Sequence, residues 1–109
     1  MGAAVWRVRD AATFGALRRH GRRVRTGALT VTWLPGPEGT PPRLAFAIGR
    51  PVGTAVVRNR LRRRLRSLFA EQAAGLPPGT YLLGAGPAAA TLDHGELRRT
   101  LTTALQQLP

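Results

Sequence analysis

The chain has 109 residues, 43% of them apolar, which is enough for one packed core, and we expect residues 1–109 to form a single domain. It contains no cysteine, which excludes disulfides and thiolate catalysis, and no apolar run of transmembrane length, so we expect a soluble, cytoplasmic protein. All seventeen basic residues are arginine, and the net charge of +12 favours nucleic acid as partner over an anionic membrane or an acidic protein.

The first third of the chain predicts a helix followed by a strand. Asp10 is suited to cap a helix that carries Phe14 and Leu17 on one side and ends near Gly21. After a basic stretch, residues 28–34 alternate between large apolar side chains and threonines. This alternation predicts a half-buried strand.

A second strand is predicted over residues 43–48, after a loop rich in proline and glycine. Its larger apolar residues share one face, and Ala45 and Ala47 lie on the opposite face. Thr30 and Thr32 occupy the corresponding face of the preceding strand. A face of such small side chains either accepts a ligand or is covered by another helix, and the pattern alone does not choose between the two.

A long amphipathic helix is predicted from Thr54 to about Ala74. Its apolar stripe has spacings of four, four and three residues and consists of Val57, Leu61, Leu65 and Leu68. Six arginines within nine residues occupy the rest of the circumference: Arg58, Arg60, Arg62, Arg63, Arg64 and Arg66. Residues 58–70 contain no carboxylate to pair with them, so the like charges destabilise the isolated helix. Nucleic-acid binding is therefore favoured over a merely solvated face.

The end of the chain predicts a short buried strand over residues 81–85 and a final helix. Asp93 and Glu96 form a capping-box pattern at the start of that helix, with Leu92 placed to contact Leu97 across the first turn. The complete order is helix, two or three strands, helix, strand, helix. This order indicates an α+β sandwich.

No catalytic centre is predicted within the chain. His20 and His94 are expected at the surface, and the five carboxylates are scattered along the sequence. Neither a paired-carboxylate site nor a metal-ligand cluster is recognisable. We therefore predict no catalytic residue and no metal ligand.

Residues 52–66 read Val-Gly-Thr-Ala-Val-Val-Arg-Asn-Arg-Leu-Arg-Arg-Arg-Leu-Arg. This segment closely resembles the signature of the bacterial ribonuclease P protein subunit, Val-Gly-x-Ala-Val-x-Arg-Asn-Arg followed by basic residues on an amphipathic helix. Phe14, Gly21 and the Leu-Pro-Pro-Gly turn before Tyr81 also recur in that family. The resemblance extends from about Arg7 to the C-terminus.

The resemblance implies a mixed four-stranded sheet packed with three helices, in the order α-β-β-β-α-β-α, with a left-handed βαβ crossover. It also implies an endoribonuclease in which a catalytic RNA, with bound magnesium, removes the 5′ leader of precursor tRNA. The protein would bind no cofactor alone and would act as a monomer, one per catalytic RNA.

The resemblance further implies two binding surfaces. The surface for the catalytic RNA would consist of Arg58, Asn59, Arg60, Arg62, Arg63, Arg64 and Arg66. The cleft for the precursor tRNA leader would consist of Phe14, Arg18, Thr30, Thr32, Ala45, Ala47 and Arg50. Arg18 and Thr32 stand where the family often has aromatic residues, which implies a leader grip that is more electrostatic.

Two other classes of function remain open at this point. A ribosomal or other general RNA-binding protein fits the composition equally well, and selective preference for precursor over mature tRNA would argue against it. A protein-only nuclease is disfavoured because no acid–base or metal-binding groups are recognisable. Cleavage by the purified protein without RNA would revive that class.

Overall fold

The computed structural model describes residues 6–7 and 11–108, which form three α-helices, five strands and three short 3₁₀ helices. In chain order the strands and α-helices are β1 (Trp6–Arg7), α1 (Ala11–His20), β2 (Arg22–Thr26), β3 (Leu29–Pro35), β4 (Arg43–Ala47), α2 (Ala55–Gln72), β5 (Gly79–Ala85) and α3 (His94–Gln106). The 3₁₀ helices are Arg50–Val52, Ala73–Gly75 and Pro87–Thr91.

The five strands form one mixed sheet in the order β1-β4-β5-β3-β2. β4 pairs in parallel with β1 and β5, whereas β3 pairs antiparallel with β5 and β2. The predicted α+β class, with four main strands and three helices, is confirmed. The two-residue β1 at the sheet edge was not predicted. α2 makes the crossover between the parallel neighbours β4 and β5, and the left-handed sense of that crossover stays a prediction.

One face of the sheet is covered by α2 and α3, which together with the strands enclose the hydrophobic core. The strands contribute Leu29, Val31, Leu44, Tyr81 and Leu83, and the two helices contribute Leu61, Leu65, Leu68, Phe69, Leu97, Leu101, Ala104 and Leu105. The alternation and helical stripes predicted from the sequence are confirmed by these residues. Val57 is the exception, because it lies in the first turn of α2, ahead of the buried positions, and is 36% exposed.

Side-chain caps define where α2 and α3 begin. Thr54 Oγ1 accepts a hydrogen bond from Val57 N at 3.3 Å at the start of α2. The predicted capping box of α3 is present, because Glu96 N donates to Asp93 Oδ1 at 2.8 Å and Asp93 N donates to Glu96 Oε2 at 3.2 Å. Asp10, the predicted cap of α1, lies outside the described residues. These local bonds satisfy backbone amides that a helix leaves without intrahelical acceptors.

The end of α1 lies directly against β3, and Gly21 permits this approach. Gly21 N donates to Leu17 O at 3.0 Å. A Cβ atom at Gly21 would lie 2.5 Å from Thr32 Cγ2 and closer still to the Leu17 carbonyl oxygen. The missing side chain therefore lets α1 pack on the sheet face opposite the core, where Leu17 is 1% exposed.

Tyr81, in the middle of the core, joins the sheet to α2. Its ring lies edge-on to Phe69 at 5.2 Å and is stacked with Trp33 at 6.3 Å between ring centroids. Its hydroxyl donates a 2.6 Å hydrogen bond to Pro77 O. Burial raises the pKa of Tyr81 from 10.0 to about 12, because a phenolate inside the core would lose its hydration.

Because Tyr81 is the only tyrosine, an alkaline titration followed by tyrosinate absorbance reports on this residue alone. We expect a midpoint near pH 12 in the folded protein and near pH 10 in denaturant. The folded-state pKa is raised, so the stabilising contribution is complete below pH 10 and is lost as pH rises towards 12. A midpoint near pH 10 in the native protein would contradict the burial of the hydroxyl.

Candidate nucleic-acid interface

Five exposed residues of α2 form a continuous stripe on the side of the helix that faces away from the core. We call this surface the outer stripe, and its members are Val56, Asn59, Arg60, Arg63 and Ser67. At 100° per residue they fall within an arc of about 100°, opposite the buried leucines of the same helix. Arg60 and Arg63 form no hydrogen bond or ion pair with the described part of the chain. The outer stripe therefore presents two unneutralised guanidinium groups to solvent.

The other arginines of α2 lie on its flanks and contact the protein itself. Arg62 Nη1 donates to Asn59 Oδ1 at 2.7 Å, and Arg62 Nη2 lies 3.4 Å from Ile48 O. Arg64 Nη2 donates to Leu92 O at 2.8 Å. Arg66 lies over the Phe46 ring, with its guanidinium carbon 5.6 Å from the ring centroid.

Flank contacts of this kind fix the orientation of α2 on the sheet. Arg62 attaches the helix to the segment after β4, and Arg64 attaches it to the segment before α3. Both side chains are half-buried, so their guanidinium groups have a structural role in addition to their charge. The predicted set of seven residues is therefore split by the fold into exposed and anchored members.

Arg58 is half-buried at the start of α2, and its Nε atom is buried without a hydrogen-bond partner among the described residues. A buried donor without an acceptor costs about 1–3 kcal/mol. A conformation of Arg58 that reaches an external acceptor would therefore recover part of that energy.

The sheet face opposite the core, which we call the open face, carries two rows of side chains set by strand register. One row runs Arg25, Thr30, Gly84 and Ala47 across β2, β3, β5 and β4. The next row runs Arg23, Thr32, Leu82 and Ala45 across the same strands. Thr32 and Ala45, beside α1, are 9% and 3% exposed, whereas Ala47 in the first row is exposed.

A cleft of about 490 Å³ lies between α1 and the first row, and we call it the sheet cleft. Its lining consists of Leu17, Arg18, Gly21, Arg23, Arg25, Gly27, Ala28, Thr30, Thr32, Ala47, Leu82, Gly84, Ala85 and Gly86. The floor is made of small side chains, and three exposed arginines stand around it. The two alternatives for this face, a cover by a helix and an opening for a ligand, are therefore both present, since α1 covers one part and the rest is open.

The structure brings four of the seven predicted leader-cleft residues together in the sheet cleft: Arg18, Thr30, Thr32 and Ala47. The placement of Ala45 on an accessible face is wrong, because its row lies beside α1 and leaves it 3% exposed. Phe14 is half-buried on α1, and Arg50 is exposed in the 3₁₀ helix after β4; neither lines the cleft.

The other ten lining residues were not predicted as part of the cleft, among them Arg23, Arg25, Leu82 and Gly84. The sequence indicates the position of two of them, because Arg23 and Arg25 flank Val24 with the alternation of a strand and so share one face. Gly84 also interrupts a predicted strand, which often marks a close backbone approach or a ligand. Their convergence depends on strand order, which local patterns do not reveal.

Within residues 6–7 and 11–108, no group of three or more histidine or acidic side chains is close enough to hold a metal ion. An apolar helix of membrane-spanning length is likewise not found in that part of the chain. Residues 39–70 contain no acidic side chain, and Glu71, one turn after Ser67, pairs with Arg98 at 3.4 Å. Both the outer stripe and the sheet cleft thus present cationic, hydrogen-bonding surfaces suited to phosphate groups.

The comparisons with known proteins all identify the same family. The sequence model of the family named Ribonuclease P matches residues 3–109. The ribonuclease P protein component of Thermobifida fusca is 42% identical over 109 residues, covering 92% of this chain and 74% of that protein. The ribonuclease P protein component of Streptomyces bikiniensis is 39% identical over 112 residues, covering 94% of this chain and 90% of that protein.

Solved structures show the same fold at lower sequence identity. The RNase P protein of Staphylococcus aureus superposes with a TM-score of 0.85 at 21% identity, covering 93% of each chain. The RNase P protein from Thermotoga maritima superposes with a TM-score of 0.82 at 21% identity, covering 94% of this chain and 97% of that one. Taken with the sequence matches over most of the chain, these results show that the chain belongs to the bacterial ribonuclease P protein family, the RNA-binding subunits of the endoribonuclease that processes tRNA 5′ ends.

Proposed function

We propose that this chain binds the catalytic RNA of ribonuclease P through α2 and holds the single-stranded 5′ leader of precursor tRNA in the sheet cleft. The observation that carries the proposal is the pairing of two separate cationic surfaces on one small rigid fold. One is convex and helical, and the other is a concave cleft floored by a sheet. Two RNA segments can thus be held at once in a fixed relative position.

The outer stripe supports the assignment of the catalytic RNA to α2. Arg60 and Arg63 are exposed, adjacent and without acidic neighbours, so they keep their full attraction for phosphate. Arg62 and Arg64 hold the helix in place through backbone carbonyls, which preorganises the exposed pair. A rigid helix loses less conformational entropy on binding than a flexible basic tail.

The sheet cleft supports the assignment of the leader. Arg18, Arg23 and Arg25 can bind successive phosphates, while the Thr30 hydroxyl and the small floor residues leave room for bases. The described lining contains no aromatic side chain, so base stacking of the usual kind has no platform there. In this proposal the leader is held mainly by charge.

Magnesium in the proposed holoenzyme is bound by the RNA, and the hydrolysis takes place there. The protein contributes by positioning the leader and by reducing the repulsion between two RNA backbones. One monomer would serve each catalytic RNA, in the cytoplasm.

The direct test is cleavage of precursor tRNA by the cognate ribonuclease P RNA at low magnesium, with and without this protein. We expect cleavage at the correct mature 5′ end to depend on the protein. Tight RNA binding without stimulation of cleavage would contradict the proposal and leave a general RNA-binding protein.

Arg60→Ala and Arg63→Ala should each weaken binding to the catalytic RNA and flatten its salt dependence. Each lost phosphate contact lowers the slope of log affinity against log salt by about one unit. The matched control is Arg99→Ala, which removes an exposed arginine of α3 and should leave the slope unchanged. Equal effects of all three substitutions would indicate net charge alone and contradict a specific role for the outer stripe.

Gly84→Val should obstruct the sheet cleft without harming the fold. A Cβ atom at Gly84 would lie 3.6 Å from Thr30 Cβ and 3.7 Å from Ala47 O, which is ordinary contact, and the two further methyl groups would occupy the floor. We expect the holoenzyme to bind precursor tRNA about tenfold more weakly, because the leader loses room on the cleft floor, while its affinity for mature tRNA is unchanged.

The control for this substitution is Gly84→Ala, which adds a single methyl group that fits the contacts above. A loss of affinity for precursor and mature tRNA alike would show that the cleft does not hold the leader.

A further inference from the structure

Val56 is an apolar residue in the middle of a cationic surface. Its side chain is 76% exposed, on the outer stripe one turn before Arg60 and three residues before Asn59. Single exposed apolar residues are common on protein surfaces and carry little information by themselves. The position of Val56 is informative because it shares the stripe with the two unneutralised arginines.

Folding gives no reason for a valine at this position. The core side of α2 is formed by other residues, beginning with Leu61, and the helix start is capped by Thr54. The neighbouring Val57 packs next to Gly53, where an added Cβ atom would lie 2.9 Å from Val57 Cγ1. Val56 is 76% exposed, and valine is a poorer helix former than alanine or arginine at an exposed site.

We propose that Val56 makes an apolar contact with the catalytic RNA, packing on a base or ribose between the phosphates that Arg60 and Asn59 approach. This inference rests on the proposed function, in which the outer stripe faces that RNA. RNA exposes sugar and base surfaces between its phosphates, and a side chain that excludes water there adds affinity that salt does not screen.

Charge complementarity favours RNA over a second copy of the chain as the occupant. Each copy carries a net charge of +12, residues 39–70 contain no carboxylate, and Glu71, one turn after Ser67, is already paired with Arg98. Two outer stripes placed together would juxtapose four arginines. A polyanion instead neutralises them and brings its own less polar surface to Val56.

Val56→Thr tests the inference, because threonine keeps the shape and β-branching of valine but replaces a methyl group with a hydroxyl. We expect affinity for the cognate catalytic RNA to fall several-fold, up to about tenfold, with the salt slope unchanged. Arg60→Ala, measured in parallel, should lower both affinity and slope. The thermal midpoint should be the same as that of the parent protein, since Val56 is mostly exposed.

Val57→Thr is the matched control, with the same chemical change one residue along and turned about 100° from the outer stripe. We expect it to change RNA affinity by less than twofold. Two outcomes would overturn the role of Val56 alone. One is an equal loss of RNA affinity from both valine substitutions. The other is an unchanged RNA affinity of Val56→Thr while Arg60→Ala still weakens binding. If Arg60→Ala also had no effect, the proposed function of α2 would fail with it.

A second measurement identifies the molecule that contacts Val56. The chain has no cysteine, so Val56→Cys provides a single attachment point for a short photo-crosslinker. In the holoenzyme with precursor tRNA, we expect crosslinks to the catalytic RNA. Crosslinks to precursor tRNA or to a second protein copy, in place of the catalytic RNA, would overturn the inference.

Discussion

The parallel pairing of β4 with β5 is the constraint on which both candidate surfaces depend. Parallel neighbours cannot be joined by a tight turn, so the chain between them must cross the sheet, and here it does so as α2. The same pairing places β5 between β3 and β4 and aligns Thr30, Gly84 and Ala47 in one row. One set of backbone hydrogen bonds thus determines the path of the arginine helix and the floor of the cleft.

The burial of α2 divides its arginines into two groups with different roles, one that anchors the helix and one that is exposed. Leucines fill the core side, and the flanking guanidinium groups of Arg62 and Arg64 bind backbone carbonyls at either side of the helix. What is left for an external partner is the outer stripe. Arginine suits both tasks because its long apolar stem can lie along the protein while its planar head donates several hydrogen bonds.

Charge repulsion sets the balance between stability and binding in so small a fold. The described ion pair between Arg98 and Glu71, 3.4 Å apart and half exposed, offsets little of the net charge of +12. The packing of the core around Tyr81 must therefore outweigh the repulsion among the surface arginines. In the proposed holoenzyme, RNA at the outer stripe and in the sheet cleft would relieve that repulsion, so folding and binding would reinforce each other.

The sequence by itself determined the features that depend on near neighbours in the chain: the α2 stripe, the Asp93–Glu96 capping box, the alternation of β3 and β4, and the family signature. Periodicity and capping depend on residues close in the sequence, so they can be recognised without knowledge of the fold. Only the tertiary structure decided that β5 separates β3 from β4, that Ala45 is buried, and that Gly84 and Arg25 share a row with Thr30. Strand order follows from pairing between distant segments, whose stability depends on how whole faces pack together rather than on any short pattern.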